Sequence, residues 1–146
     1  MPLAHRIDHR LRLVLAWASG TLTDEEVFGY QTEVWSRPEV AGYDELVDMT
    51  AVEHVALPSI GRVLDLARLS AGMDARGATS RFAIVAPRDF EFALGRMYGS
   101  HRELDGRATK RVSVFRSRPE ALAWLGLEGE PPATPEPGVA RPDERT

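Results

Sequence analysis

The sequence contains no cysteine. This absence excludes disulfide bonds, thiol catalysis and thiolate metal sites, and it agrees with a reducing cytoplasm. Long apolar runs are also missing, because the longest, Leu13 to Ala18, is far shorter than the ~20 residues of a membrane-spanning helix. The first ten residues are charged and have no apolar core of signal-peptide length. We therefore expect a soluble, cytoplasmic protein with no membrane span.

The chain has no excess of basic residues. It carries 18 Lys and Arg against 22 Asp and Glu, which gives a formal net charge of −4. Proteins that bind DNA or RNA usually present a basic surface to the phosphates. The composition therefore predicts no nucleic-acid partner.

Motifs that would indicate an enzyme are absent from the sequence. There is no glycine-rich dinucleotide fingerprint, no Walker-type phosphate loop and no G-x-S-x-G nucleophile motif. None of the four histidines has metal-ligand spacing with another; they are His5, His9, His54 and His101. We expect no metal, no cofactor and no catalytic activity.

The stretch from Tyr43 to Val52 is short, mostly apolar and bounded by Gly42 and Pro58. Such a run is typical of a strand buried on both faces, as in a parallel sheet covered by helices. Helical patterns flank it on both sides, so we expect it to be a central strand.

The remaining pattern alternates strands with helices. A hairpin comes first, and a capping box of Thr23 and Glu26 starts a helix that Pro38 stops. The second strand of the hairpin runs from Leu11 to Ala18 and ends at Ser19-Gly20. After the central strand we predict a loop from Glu53 to Leu57 and a second helix, which begins at Pro58 or Ser59 and ends at Gly72 or Gly77. The remaining predicted elements are strand Phe82 to Ala86, a third helix over Phe90 to His101, strand Lys110 to Phe115 and a helix from Ser117 to Gly126.

This order predicts an α/β fold. The sheet is mixed and mainly parallel, with about five strands, an N-terminal antiparallel hairpin and about four helices. Residues 1–128 form one domain, and residues 129–146, which hold five of the ten prolines, form a disordered Pro-rich tail.

Several of these segments resemble the STAS-like proteins of bacteria, and most of all the small stand-alone SpoIIAA-like (STAS/SEC14-like) set. The similar segments are G-T-L-T-D-E-E (Gly20 to Glu26), L-V-D-M-T (Leu46 to Thr50), F-A-I-V-A, R-M-Y and the closing V-F-x(5)-A-L-A-W-L (Val114 to Leu125). The resemblance covers about Arg6 to Leu127. It implies a STAS-like fold and a non-enzymatic binding or regulatory role.

In that family, anti-sigma antagonists carry a regulatory serine at the start of the helix after the central strand. Asp48 and Thr50 match the acidic and hydroxyl positions of the strand, and Ser59 matches the phosphorylated serine with a one-residue shift. The aspartate that should precede the serine is replaced by Ala56 or Leu57. The resemblance therefore implies that Ser59 is unmodified.

Two surfaces are candidates for binding. The first comprises Asp48, Thr50, His54, Ser59 and Ile60, at the carboxyl end of the central strand, where open α/β sheets tend to place ligands. Asp48 either contacts a ligand, or anchors the next loop or caps a helix. The first functional hypothesis is a protein partner that binds the loop from Glu53 to Ser59 and the second helix.

The second surface is the third helix, whose apolar residues cover more than one face. One of its faces carries Phe90, Ala93, Leu94, Met97 and His101. The residues of the possible apolar groove or interface are Phe90, Phe92, Met97 and Tyr98. This width predicts either a pocket for a small apolar ligand or lipid between the helix and the sheet, or a homodimer interface.

Overall fold

The computed structural model describes residues 3–127 and confirms the predicted fold class. The chain forms a five-stranded mixed sheet with four α-helices. In chain order the elements are β1 (Leu3–Asp8), β2 (Leu13–Thr23), α1 (Asp24–Trp35), a short 3-10 helix (Pro38–Val40), β3 (Asp44–Ala56), α2 (Gly61–Gly72), β4 (Ser80–Val85), α3 (Asp89–Glu103), β5 (Lys110–Phe115) and α4 (Arg118–Trp124).

The strands lie in sequence order, β1-β2-β3-β4-β5. β1 pairs antiparallel with β2, and β2 to β5 are parallel to one another. Each crossover between parallel strands moves one position in the same direction. Since such crossovers are right-handed, α1, α2 and α3 all fall on one face of the sheet.

The core clusters agree with this layering. Side chains of α1, α2 and α3 pack on Val14, Ala16, Phe82 and Ile84. α4 packs on the opposite face, against Leu13, Leu15, Leu46, Ala83 and Val85. Adjacent residues of β2 and β4 thus point to opposite faces, and both faces are buried.

Both helix starts predicted from serine or threonine caps are present. The Thr23 hydroxyl accepts from the Glu26 backbone N–H at 3.2 Å, and the Glu26 carboxylate accepts from the Thr23 N–H at 3.2 Å. The Ser117 hydroxyl accepts from the Glu120 N–H at the start of α4.

Several predicted strand ends are wrong. β2 does not begin at Leu11, because Asp8 accepts from the Leu11 N–H in a turn that leaves Arg12 with φ 53°. Nor does it end at Ser19-Gly20. Irregular pairing with β3 near Gly20, whose φ is +64°, lets both strands continue to Thr23 and Ala56.

Two further predictions, the loop after β3 and the start of α2, are also wrong. Most of the expected loop Glu53 to Leu57 is strand, paired with Thr21, Leu22 and Thr23 of β2. α2 begins at Gly61 and not at Pro58 or Ser59. The loop between the two elements is therefore short.

No helix within residues 3–127 is long and apolar enough to cross a membrane. The predicted disordered tail, residues 129–146, lies outside the described residues.

Candidate functional site

A cavity of about 140 Å³ lies between the sheet and the layer of three helices. Its floor comes from one face of β3 and β4. Glu45, Val47 and Met49 alternate onto this face of β3, and Phe82 and Ile84 do so on β4. Apart from Glu45, the floor is apolar.

The walls of the cavity are side chains of α1, α2 and α3. Val27 and Phe28 belong to α1, Val63 and Leu66 to α2, and Leu94, Gly95 and Tyr98 to α3. α3 can approach the sheet closely because Gly95 has no side chain. A β-carbon at Gly95 would lie 3.0 Å from Val114 Cγ2 on β5.

One end of the cavity is closed by a network around Glu45, which is only 3% exposed. Its carboxylate accepts from the Tyr30 hydroxyl at 2.7 Å, from Trp35 Nε1 at 3.2 Å and from Lys110 Nζ at 3.1 Å. The Lys110 ammonium also lies 3.2 Å from the centre of the Trp35 ring. Burial and the Glu45 charge raise the pKa of Tyr30 well above its usual value, so its hydroxyl stays protonated at neutral pH.

A second buried network holds the Tyr98 hydroxyl. That hydroxyl lies 2.8 Å from the Ser70 hydroxyl, and Arg102 Nη1 donates to Ser70 at 2.9 Å. Arg102 also pairs with Asp74, which accepts from two backbone N–H groups, those of Thr109 and Lys110. Burial raises the pKa of Tyr98 far above its usual value. This network fixes α3 against α2 and the start of β5.

An ion pair between α1 and α2 borders the cavity on its other side. Arg62 Nε lies 2.7 Å from Asp24 Oδ2, and its guanidinium lies 4.1 Å from the centre of the Phe28 ring. The hydrogen bond from Arg62 holds the pKa of Asp24 below its usual value. Both charged side chains line the cavity and satisfy each other.

The structure separates the first predicted surface from this cavity. Asp48 lies where β4 stops pairing with β3, and its carboxylate lies 3.1 Å from Arg118 Nη1 at the start of α4. Asp48 Oδ1 also accepts from the Thr50 N–H and hydroxyl. Asp48 thus ties β3 to the first residue of α4 through an ion pair, and its role in ligand binding stays a prediction.

The other members of that surface are exposed to solvent. His54 lies in β3, paired with Thr21, and not in a loop as the sequence pattern predicted. Ser59 is exposed in the short loop before α2, and Ile60 is 47% exposed at the N-cap of that helix. A binding role for these residues, and the absence of phosphate on Ser59, remain predictions.

The buried face of α3 differs from the apolar face that the sequence pattern indicated. The buried residues of this helix are Glu91, Gly95, Tyr98 and Arg102, whereas Phe90 is 55% exposed. Phe92 is half-buried beneath the guanidinium of Arg116, 4.0 Å from its ring centre, and Met97 is half-buried in the same core cluster. Of the four predicted groove residues, Tyr98 lines the cavity; Phe90, Phe92 and Met97 do not.

Sequence reasoning missed the buried face of α3 and the buried carboxylate of Glu45. Glu91, Gly95, Tyr98 and Arg102 follow helical spacing, but three of the four are polar or lack a side chain, so an apolar count selects the neighbouring face. Glu45 lies within a mostly apolar strand, so the hydrophobic pattern of that strand gave no sign of a buried carboxylate. The available signal was the spacing of Gly95 and Gly99, which are four residues apart. Two glycines on the same face of a helix favour close helix–sheet packing.

Comparison with known proteins finds a solved structure that is similar to this chain. The crystal structure of an uncharacterized protein from Shewanella loihica PV-4, of the DUF3478 family and described as having a SpoIIAA-like fold, is similar over 77% of this chain and 83% of its own. The sequence identity is 20% and the TM-score is 0.48. No protein-family model and no curated protein matches the chain.

Proposed function

We propose that this chain is a non-enzymatic binding module that holds a small apolar molecule in the cavity between α1, α2, α3 and the sheet. The observation that carries the proposal is the cavity itself, whose lining is almost wholly apolar. An engineered apolar cavity of about 150 Å³ stays dry and binds benzene. A cavity of about 140 Å³ fits a ligand of similar size.

The polar groups around the cavity support binding over catalysis. The Glu45 carboxylate has three hydrogen-bond partners, and Asp24 and Arg62 neutralise each other. The hydroxyls of Tyr30 and Tyr98 have raised pKa values and already take part in hydrogen bonds. Groups held in this way are poor general bases.

In an NMR titration of the full chain with toluene, we expect the resonances of residues that line the cavity to shift. Leu94→Trp should abolish those shifts, because the larger ring fills the cavity from α3. Leu11→Trp is the matched control: Leu11 packs on the opposite sheet face, so this variant should bind toluene like the unaltered chain.

Native mass spectrometry of freshly purified protein provides an independent measurement. A displaceable small mass would support the proposal, and a species of twice the chain mass would support the homodimer expected from the sequence. A bare monomer mass, together with no toluene response up to the solubility limit, would overturn the ligand proposal.

A protein partner is the second candidate. It is favoured by Ile60 and Phe90, which are exposed at the amino ends of α2 and α3, at the same edge of the sheet. Ile60→Asp should prevent capture of such a partner from native lysate. If capture is unchanged in this variant, α2 does not form the docking surface.

A further inference from the structure

Glu91 differs from the other polar residues of the cavity. It lies in the first turn of α3, its side chain is 6% exposed, and it lines the cavity. Its Oε1 atom is buried and has no hydrogen-bond partner within residues 3–127. Leaving a buried acceptor unsatisfied is costly, so native proteins rarely do so without a reason.

The surroundings of Glu91 pair only one of its two carboxylate oxygens. Arg88 Nη2 lies 3.4 Å from Glu91 Oε2, and the amino end of α3 carries a partial positive charge. Arg88 Nη2 also donates to the Val52 carbonyl, which ties the loop before α3 to β3. One carboxylate oxygen is therefore paired, and the other is left as a free acceptor.

No other cavity-lining side chain of the described residues leaves a buried polar atom without a partner. The remaining unpartnered atoms belong to His5, Arg6, Trp17 and Arg102, none of which lines the cavity. The terminal torsion of a glutamate is soft, so its carboxylate can reorient when a ligand enters the cavity. Among the described residues, Glu91 is the one that lines the cavity and has a buried acceptor atom without a partner.

We propose that Glu91 selects the ligand: the cavity takes a small apolar molecule that carries one hydrogen-bond donor, a hydroxyl or an amine, and Glu91 Oε1 accepts that hydrogen bond. The inference rests on the proposed function, because it specifies the ligand of the same cavity. Carboxylate anions are disfavoured, because an ionised carboxylate has no hydrogen to donate to Glu91 Oε1.

Two isomers test the proposal directly. Benzyl alcohol and anisole have the same atoms, but only the alcohol has a donor. We expect the full chain to bind benzyl alcohol about tenfold or more tightly than anisole, and to reject benzoate. Calorimetry or NMR titration measures these affinities, and the series needs no altered protein.

Glu91→Leu should remove the preference and leave the binding of anisole and toluene in place. Glu103→Leu is the matched control, because Glu103 is exposed at the far end of the same helix. If Glu91→Leu does not fold, Glu91→Gln replaces it, and the preference for benzylamine over toluene should fall because the charge is lost.

The outcomes separate the two proposals. If toluene and both isomers fail to bind the unaltered chain, the proposed function is wrong and this inference falls with it. If toluene binds but the two isomers bind equally, the cavity is a ligand site and the role of Glu91 is refuted. An alcohol preference that survives in Glu91→Leu refutes it as well.

Discussion

His5 lies on β1 with its ring half-buried, 6.2 Å from the ring of Tyr30. Its Nε2 atom is buried and has no partner among the described residues. Burial lowers the pKa of His5, the charge of Arg37 lowers it further, and Glu33 opposes them. Folding thus favours the neutral imidazole.

The direction of this shift predicts how stability depends on pH. The unfolded chain, where His5 has its ordinary pKa of 6.5, binds the proton more readily than the folded chain. The free energy of unfolding should therefore fall as pH drops through about 6.5, and the fall should level off below the folded-state pKa.

His5→Phe should weaken this fall, and denaturant unfolding at a series of pH values between about 8 and 5 measures it. His54→Phe serves as the control, because His54 is exposed on β3 and its replacement should leave the slope unchanged. An equal slope in His5→Phe and the unaltered chain would show that protonation of His5 is not coupled to folding.

At the scale of the element, α1 and α4 show what local sequence can specify. Their starts follow from Thr23 and Ser117, whose side chains cap backbone N–H groups within the same turn. A cap needs only residues a few positions apart, so it can be read from the sequence alone. The fold class follows in the same way from the alternation of strands and helices.

α3 shows why the rest could not be predicted. Its buried face depends on partners distant in the chain: Gly95 faces Val114, and Gly99 lies against Val112. Arg102 is buried because Asp74, Ser70 and the Lys110 carbonyl surround it. These hydrogen-bond partners of the buried charge lie outside α3, so the sequence of the helix alone does not predict that Arg102 is buried.

The same limit explains the extended β2–β3 pair. Gly20 is a local signal for ending a strand, yet pairing between Ser19 to Thr23 and Ala51 to Ala56 continues both strands past it. The pairing brings Leu22 and Val55 to the rim of the cavity. Side chains predicted to lie in a loop therefore became part of the strand that borders the site.

At the scale of the whole molecule, the two faces of the sheet are covered unequally. Three helices and the cavity lie on one face, whereas within residues 3–127 the seven-residue α4 is the only helix on the other. Leu122 of α4 and Leu125, which directly follows the helix, are each 7% exposed, and they cover Leu13 and Leu15, which are almost completely buried. The fold therefore depends heavily on this short helix.

The dependence on α4 gives a prediction about where the domain ends. A chain ending at residue 128 retains α4 and also Leu127, which packs on the same core cluster. It should match the full chain in unfolding temperature and in toluene binding. Leu122→Ala should lower the free energy of unfolding by about 2–5 kcal/mol, because it leaves a cavity under the helix.

Calorimetric unfolding of the three proteins measures these differences, and Ala123→Gly, at an exposed position of the same helix, provides the control. Its cost should stay near 1 kcal/mol, the helix-propensity difference between alanine and glycine. The shortened chain is the decisive sample. If it unfolds at a lower temperature than the full chain, residues beyond 128 stabilise the fold, and the domain extends further than the sequence pattern indicates.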